Sequence, residues 1–222
     1  MNILKIFLES GLAAQIIMVI LIIFSIWSWA IFFKKLFDLA RIAKRSQIFL
    51  ATYRLHRTVK DYENLRPLLN DNPYGQILKR GHEVYKELKS GPLQTSPKLF
   101  ELADNIRLAM DEIKIGVIEN LEGSLPTLGS IVTASPLLGL LGTVWGIMES
   151  FLEVRARGSA HITIVAPGIS DALITTVYGL LVAIPSLMIH NYLRNRINRI
   201  DAGLDKFIDD AFAKFRRGLI ET

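Results

Sequence analysis

The chain has 222 residues, half of them hydrophobic, with a formal net charge of +5 and no cysteine. The missing cysteines exclude disulfides, a thiol nucleophile and cysteine-ligated metal. A positive mean hydropathy beside 21% charged residues suits a membrane protein with a substantial aqueous part. The basic residues cluster after hydrophobic runs, which marks topology and lipid headgroup contact rather than nucleic-acid binding.

Residues 1–33 read as an outward N-terminus and a first span. Ser10 to Phe33 is a run of about 24 uncharged residues, bulky and apolar all round, long enough to cross a bilayer. Trp27 and Trp29 stand near its end, where amphipathic rings favour the interface. A cleaved signal peptide is the competing reading, but the apolar core is too long and no small-residue cleavage site follows. Only Lys5 precedes the run, whereas Lys34, Lys35, Arg41, Lys44 and Arg45 follow it, so the far side is cytoplasmic.

Residues 34–123 contain no spanning run and read as a cytoplasmic helical region. Ile42, Ile48, Phe49 and Tyr53 continue the first span as an amphipathic helix. Asn70 to Gly75 is a turn cluster, and Ser90 to Pro97 is a loop. From Lys98 to Leu121 apolar positions keep helical spacing, and the charged face with Glu101, Asp104, Arg107, Asp111, Glu112 and Lys114 reads as solvated. His56 and His82 read as surface residues. A helical bundle beside the membrane is expected.

Residues 124–153 form the second span, 154–161 the outer loop, 162–193 the third span, and 194–222 a cytoplasmic C-terminal helix with Arg194, Arg196 and Arg199. The second span has few bulky anchoring residues. Ser135, Gly139, Gly142, Thr143 and Gly146 recur at spacings of three and four, so they share a face on which another helix can approach closely. The third span is about 48 Å long at 1.5 Å per residue, more than the hydrocarbon core. Gly168, Asp171, Thr175, Gly179, Ala183 and Ser186 fall in one sector, with Thr176 and His190 at its margin; Leu173, Val177, Leu180, Leu181, Ile184 and Leu187 lie opposite. Pro136, Pro167 and Pro185 are places for a bend. An acid inside a span is costly and marks Asp171 as a functional candidate. Thr143 and Thr176 both sit slightly outward of mid-span, so antiparallel helices bring them to similar depth. The small faces, hydroxyls and acid point to a lumen or to a tightly packed helix interface. Two such helices cannot enclose a pore alone, which predicts an oligomeric ring.

Bland readings compete at each position. Membrane glycines usually serve packing, membrane hydroxyls often bond back to their own helix, and Asp171 could be a structural acid near the water boundary. Glu149 and Glu153 read as interfacial, and His161 and His190 lie near opposite faces. Gly139 to Gly146 lacks the lysine of a phosphate loop, and no zinc spacing, nucleophile elbow or kinase signature occurs. No motif favours an enzyme.

Ala134-Ser-Pro-Leu-Leu-Gly-Leu-Leu-Gly-Thr-Val-Trp-Gly-Ile-Met148 and Val165-Ala-Pro-Gly-Ile-Ser-Asp-Ala-Leu-Ile-Thr-Thr-Val-Tyr-Gly-Leu-Leu-Val-Ala-Ile-Pro-Ser186 resemble the two signature spans of the TolQ/ExbB/MotA family of bacterial inner-membrane proteins. Members use proton flow to drive a periplasmic partner. The resemblance covers nearly the whole chain, and the opening Met1-Asn-Ile-Leu-Lys-Ile-Phe-Leu with Phe24-Ser-Ile-Trp-Ser-Trp-Ala is similar to the Tol branch. ExbB proteins more often carry a longer N-terminus, and MotA carries a further span.

The resemblance implies an all-α membrane protein with three transmembrane helices and long helical cytoplasmic extensions, assembled as a pentameric ring whose second and third spans line a pore. It implies two copies of a TolR-like single-span partner inside, a TolA-like protein energised in turn, and a role in outer-membrane integrity and constriction at division. It implies neither cofactor nor metal. Thr143 and Thr176 take the pore-threonine positions, opposite an aspartate of the partner. Asp171 takes a pore-side acidic position usually held by glutamate, one methylene longer. Thr175 stands where alanine is usual, Tyr178 where an aliphatic residue is usual, and Ser135 precedes Pro136 where small residues are common. In the implied cycle a proton from outside neutralises the partner's aspartate near the threonines and lets the partner move; 100 mV supplies about 2.3 kcal/mol per charge. The alternatives are an ExbB-like subunit serving TonB-dependent uptake and a scaffold that conducts nothing.

Overall fold

The computed structural model describes residues 7, 10–55, 65–70, 72–90, 99–159 and 161–220, with backbone alone at 99–102 and 220. Lys5, His56, Asp71, the side chain of Glu101 and the loop expected after Ser90 lie outside the described residues. Five helices carry the rest: α1 (Leu12–Leu55), α2 (Pro73–Ser90), α3 (Leu99–Glu122), α4 (Leu125–Arg157) and α5 (Ile162–Ile220). A 3₁₀ turn at Arg66–Leu68 precedes α2. No strand occurs among the described residues. Three of the helical stretches are long and apolar enough to cross a membrane, as expected from the three uncharged runs.

Helix α1 continues through the boundary between apolar and basic sequence because its 44 residues contain neither glycine nor proline. The expected turn at Asn70 to Gly75 is half helix. Asn72 caps α2, its Oδ1 accepting from the Gly75 N–H at 2.9 Å, and Pro73 occupies the first turn, where its missing N–H costs nothing. Helices α3 and α4 are separated only by Gly123 and Ser124. Pro126 opens α4 and forbids a continuous ladder across that point. Helix α4 runs four residues past the expected end of the second span, to Arg157. A Glu153–Arg157 ion pair at 3.0 Å bridges its last turn, and Gly158 closes it in the left-handed conformation at φ 62°. The third span and the C-terminal helix are one helix of 59 residues, unbroken through Pro167 and Pro185.

The chain divides into two units, Met1–Lys34 with Ser124–Leu193 and Lys35–Gly123 with Arg194–Thr222. In the span unit α4 and α5 run antiparallel. Ser135 abuts Gly179, Gly139 abuts Thr175 and Thr176, and Gly146 abuts Gly168 and Ala172. Helices α1 and α5 run parallel, since Ser10 bonds Asp171 and Ser28 bonds Ser186. That order of directions is the alternation three successive spans require.

The second unit is the expected helical bundle. Its core joins Phe49 and Tyr53 of α1, Ile77 and Tyr85 of α2, Ile106 and Met110 of α3, and Leu204, Phe207 and Phe215 of α5. His82 is half-buried rather than freely exposed, and its ring packs 6.3 Å from that of Phe215. The charged face of α3 is not merely solvated either. Arg107 meets Asp209 at 2.8 Å, and Lys114 reaches both Asp201 (3.2 Å) and Asp205. Asp201, Asp205 and Asp209 are four apart, so α5 offers them as one acidic row. At the end of α3 the buried Lys35 ammonium donates to the carbonyls of Asn120 (3.1 Å) and Leu121 (2.7 Å). A cation there satisfies two terminal carbonyls and the negative end of the helix dipole.

Three groups of this unit, all beyond the 10–33 run and the other uncharged stretches, hold their protons more tightly than usual. Burial raises the Tyr53 pKa strongly, helped by the hydrogen bond its hydroxyl donates to Asp210 at 2.9 Å and by that carboxylate's charge. Burial also raises Tyr74. For Lys114 burial alone acts downward, but Asp205 and Asp201 more than offset it, and the net shift is upward. A raised folded-state pKa means that the unfolded chain releases its proton first as pH rises. The contribution is complete below about pH 10, the ordinary value of tyrosine and lysine, and is lost above it. The unfolding midpoint of this unit is therefore expected to begin falling near about pH 10 and to keep falling as pH rises further, and Tyr53→Phe to flatten that fall. A pH series of thermal melts checks this; equal slopes for both proteins would refute it.

Candidate functional site in the span unit

Spacing decides which face of α4 is buried. Ser135, Gly139, Gly142, Gly146 and Ser150 recur at intervals of four and three, and all are buried. They meet a matching stripe on α5, Gly168, Ala172, Thr175 and Gly179. A Cβ at Gly179 would stand 2.6 Å from the Ser135 carbonyl oxygen, and one at Gly146 would stand 2.7 Å from that of Gly168. The two backbones touch at these points, which only glycine permits. In a membrane, packing of this kind replaces the hydrophobic drive that lipid removes.

The structure brings Gly139, Gly142, Gly146, Gly168 and Gly179 into this pair, and it separates the polar residues. Ser135 and Thr175 are fully buried between α4 and α5 of one chain. Ser135 donates to the Ile131 carbonyl at 2.7 Å, and Thr175 donates to that of Ala172 at 2.7 Å. Thr175 fills the space in front of Gly142. Neither hydroxyl is exposed on the surface of this helix pair.

Thr143 and Thr176 are half-buried at one edge of the pair. Thr176 donates across to the Gly139 carbonyl at 3.0 Å, and Thr143 donates to the next carbonyl of α4, Leu140, at 2.7 Å. Two successive carbonyls thus receive them, so the hydroxyls lie at the same depth. Each spends its one proton on the backbone and keeps lone pairs outward. Such a pair can accept a hydrogen bond from a protonated carboxylic acid, and has no proton left for an ionised one.

Asp171 lies on the opposite edge. Five residues separate it from Thr176, about 140° around the helix. Its carboxylate accepts from the Ser10 hydroxyl (3.1 Å) and the Gly11 N–H (3.0 Å), just before α1. Glu149 Oε2 lies beside Gly11 as well, 3.2 Å from where a Cβ would be. Nearer the other end Ser186 donates to Ser28 at 2.9 Å with both side chains buried.

Sequence reasoning missed the roles of Ser10, Ser28 and Ser150. Ser150 is buried and donates to the Gly146 carbonyl at 2.9 Å, extending the α4 stripe by one turn. Its signal was present, since it stands four residues past Gly146. Ser10 before an apolar run is a helix-start signature, but nothing local names its partner 161 residues away. His161 and His190 stand at the two ends of the third span, and no group of metal-ligating side chains occurs among the described residues.

Residues 71–206 match the MotA/TolQ/ExbB proton channel family. The chain is 35% identical to the Tol-Pal system protein TolQ of Haemophilus influenzae, over 95% of this chain and 92% of that one. It is 30% identical to the Tol-Pal system protein TolQ of Pseudomonas aeruginosa, over 94% and 90%. The biopolymer transport protein ExbB of Salmonella typhimurium is 31% identical, over 88% of this chain and 79% of that one.

Proposed function

Since the chain belongs to the MotA/TolQ/ExbB proton channel family, we propose that it is a TolQ-like channel subunit of a bacterial inner membrane, working in a Tol-Pal system. The observation that carries this is the similarity to two TolQ proteins over nine-tenths or more of both chains. The three apolar helices fit a multi-pass inner-membrane protein. The basic clusters after the first and third spans favour an outward N-terminus and an inward C-terminus.

In this reading five copies form a ring around two TolR-like single-span partners, and the edge of α4 and α5 with Thr143 and Thr176 faces the lumen. A proton entering from outside neutralises the partner's aspartate. The outward lone pairs of Thr143 and Thr176 then accept a hydrogen bond from the neutral acid and favour its protonated form at that depth. Inward release restores the charge and ends the contact. Repeated cycles move the partner and, through a TolA-like protein, support outer-membrane integrity and constriction at division. Ser135 and Thr175 serve by packing α4 on α5, which keeps the two threonines level.

Thr143→Val and Thr176→Val keep shape and remove the acceptor oxygens. Each is expected to abolish rescue of detergent sensitivity in a strain lacking its own TolQ, while the purified complex keeps the mass of a five-subunit ring with its partner dimer. Normal rescue by both variants would refute the role of the hydroxyls. A purified protein that stays monomeric when co-expressed with a TolR-like partner would refute the ring. The 31% identity to an ExbB protein supports a second reading, energising TonB-dependent uptake. Rescue of iron-siderophore uptake without rescue of envelope integrity would favour that one.

A further inference from the structure

Asp171 occupies a span, yet its carboxylate is committed to another helix. Ser10 Oγ donates to Oδ1 at 3.1 Å, and the Gly11 N–H donates to Oδ2 at 3.0 Å. Gln15 adds further bonds within that turn. Gln15 Nε2 donates to the carbonyls of Ser10 (2.9 Å) and Phe7 (3.1 Å), and the Gln15 N–H donates to the Gly11 carbonyl at 3.0 Å. Helix α1 has no acidic residue in its own first turn. The first N–H groups of a helix lack intrahelical partners and carry its positive end. A carboxylate from α5 supplies from outside what the α1 sequence leaves out. Deeper in the unit Ser186 bonds Ser28 at 2.9 Å, so α1 is tied to α5 at two depths about 25 Å apart.

We propose that Asp171 is a positioning residue that docks the start of α1 onto α5, and that its two acceptor oxygens perform this role. It stands on the edge of α5 away from Thr176, and its duty is to hold the first span against the third so that both move together. A neutral acceptor of the same shape should then serve almost as well as the acid, which a proton-carrying role forbids.

Hydrogen exchange on the full-length protein in lipid nanodiscs tests this. Proton coupling does not enter that readout, so failure of this assignment and failure of the channel reading give different results. Asp171→Ala should speed exchange of the amides of residues 11–15 about tenfold or more. Ser10→Ala should speed it about two- to fivefold. Asp171→Asn, which keeps one acceptor oxygen in place, should stay within about threefold of the parent. Exchange along Leu128 to Gly146 should not change in any variant. The assignment is overturned if Asp171→Ala leaves residues 11–15 protected, or if Asp171→Asn exchanges as fast as Asp171→Ala. Should Asp171→Ala not fold, parental exchange in Ser10→Ala overturns it, and faster exchange there beside a protected Asp171→Asn upholds it.

Discussion

Gly179→Ala is expected to lower the stability of the span unit by about 2–3 kcal/mol, and Gly179→Leu to prevent α4 and α5 from pairing. The first atom added would stand 2.6 Å from the Ser135 carbonyl oxygen and 3.2 Å from Gly139 Cα. Both belong to backbone, which cannot rotate aside as a side chain can, so the helices must separate. Separation strips contacts from the whole stripe between Ser135 and Ser150, because the pair has no bulky residues to refill the gap. Gly142 behaves differently, since its obstacle is the Thr175 side chain. Gly142→Ala should be partly rescued by Thr175→Ala, with a coupling of about 1 kcal/mol. The rescue is partial because Thr175 Cβ alone would still stand 2.6 Å from the new methyl. Gly116 of α3 supplies the contrast. Nothing lies within 4 Å of its missing Cβ, so Gly116→Ala should stabilise by about 0.5–1 kcal/mol through helix propensity. Thermal melts of the detergent-purified variants rank them. An unchanged midpoint for Gly179→Ala would show that the backbones are not in contact.

Phe49→Ala is expected to cost about 3–5 kcal/mol, the largest single-residue effect in the second unit. Phe49 is 0% exposed. Its ring stacks with that of Tyr53 at 6.1 Å and meets Phe207 edge-on at 6.0 Å. Truncation leaves a cavity between α1 and α5, and the surrounding rings are too large to close it. The loss falls on the part of α1 beyond Lys34, so limited proteolysis should cut 35–55 in the variant and spare it in the parent. The exposed Ile48 next in sequence is 52% accessible, and Ile48→Ala should melt within about 0.5 kcal/mol of the parent. Equal protease resistance of Phe49→Ala and Ile48→Ala would contradict this core.

The sequence by itself determined the number of spans, the helical class and the small-residue stripes, because each is a one-dimensional signal. A bilayer demands about 20 uncharged residues per helix, and a glycine every third or fourth position announces a close-packed face whatever covers it. It also carried the matched depth of Thr143 and Thr176, which follows from counting residues along two antiparallel helices. Only the tertiary structure decided what each face meets. The sector with Asp171, Thr175 and Thr176 reads as one polar face on a helical wheel, yet two neighbouring helices divide it. Thr175 is buried against α4, Thr176 bonds α4 from an open edge, and Asp171 bonds the start of α1. In the same way the charged face of α3 looks solvated until α5 returns from beyond two spans with Asp201, Asp205 and Asp209. Periodicity gives the direction of a side chain about its own helix axis; which helix stands in that direction depends on contacts between residues 36 to 161 positions apart, and local sequence carries no record of them.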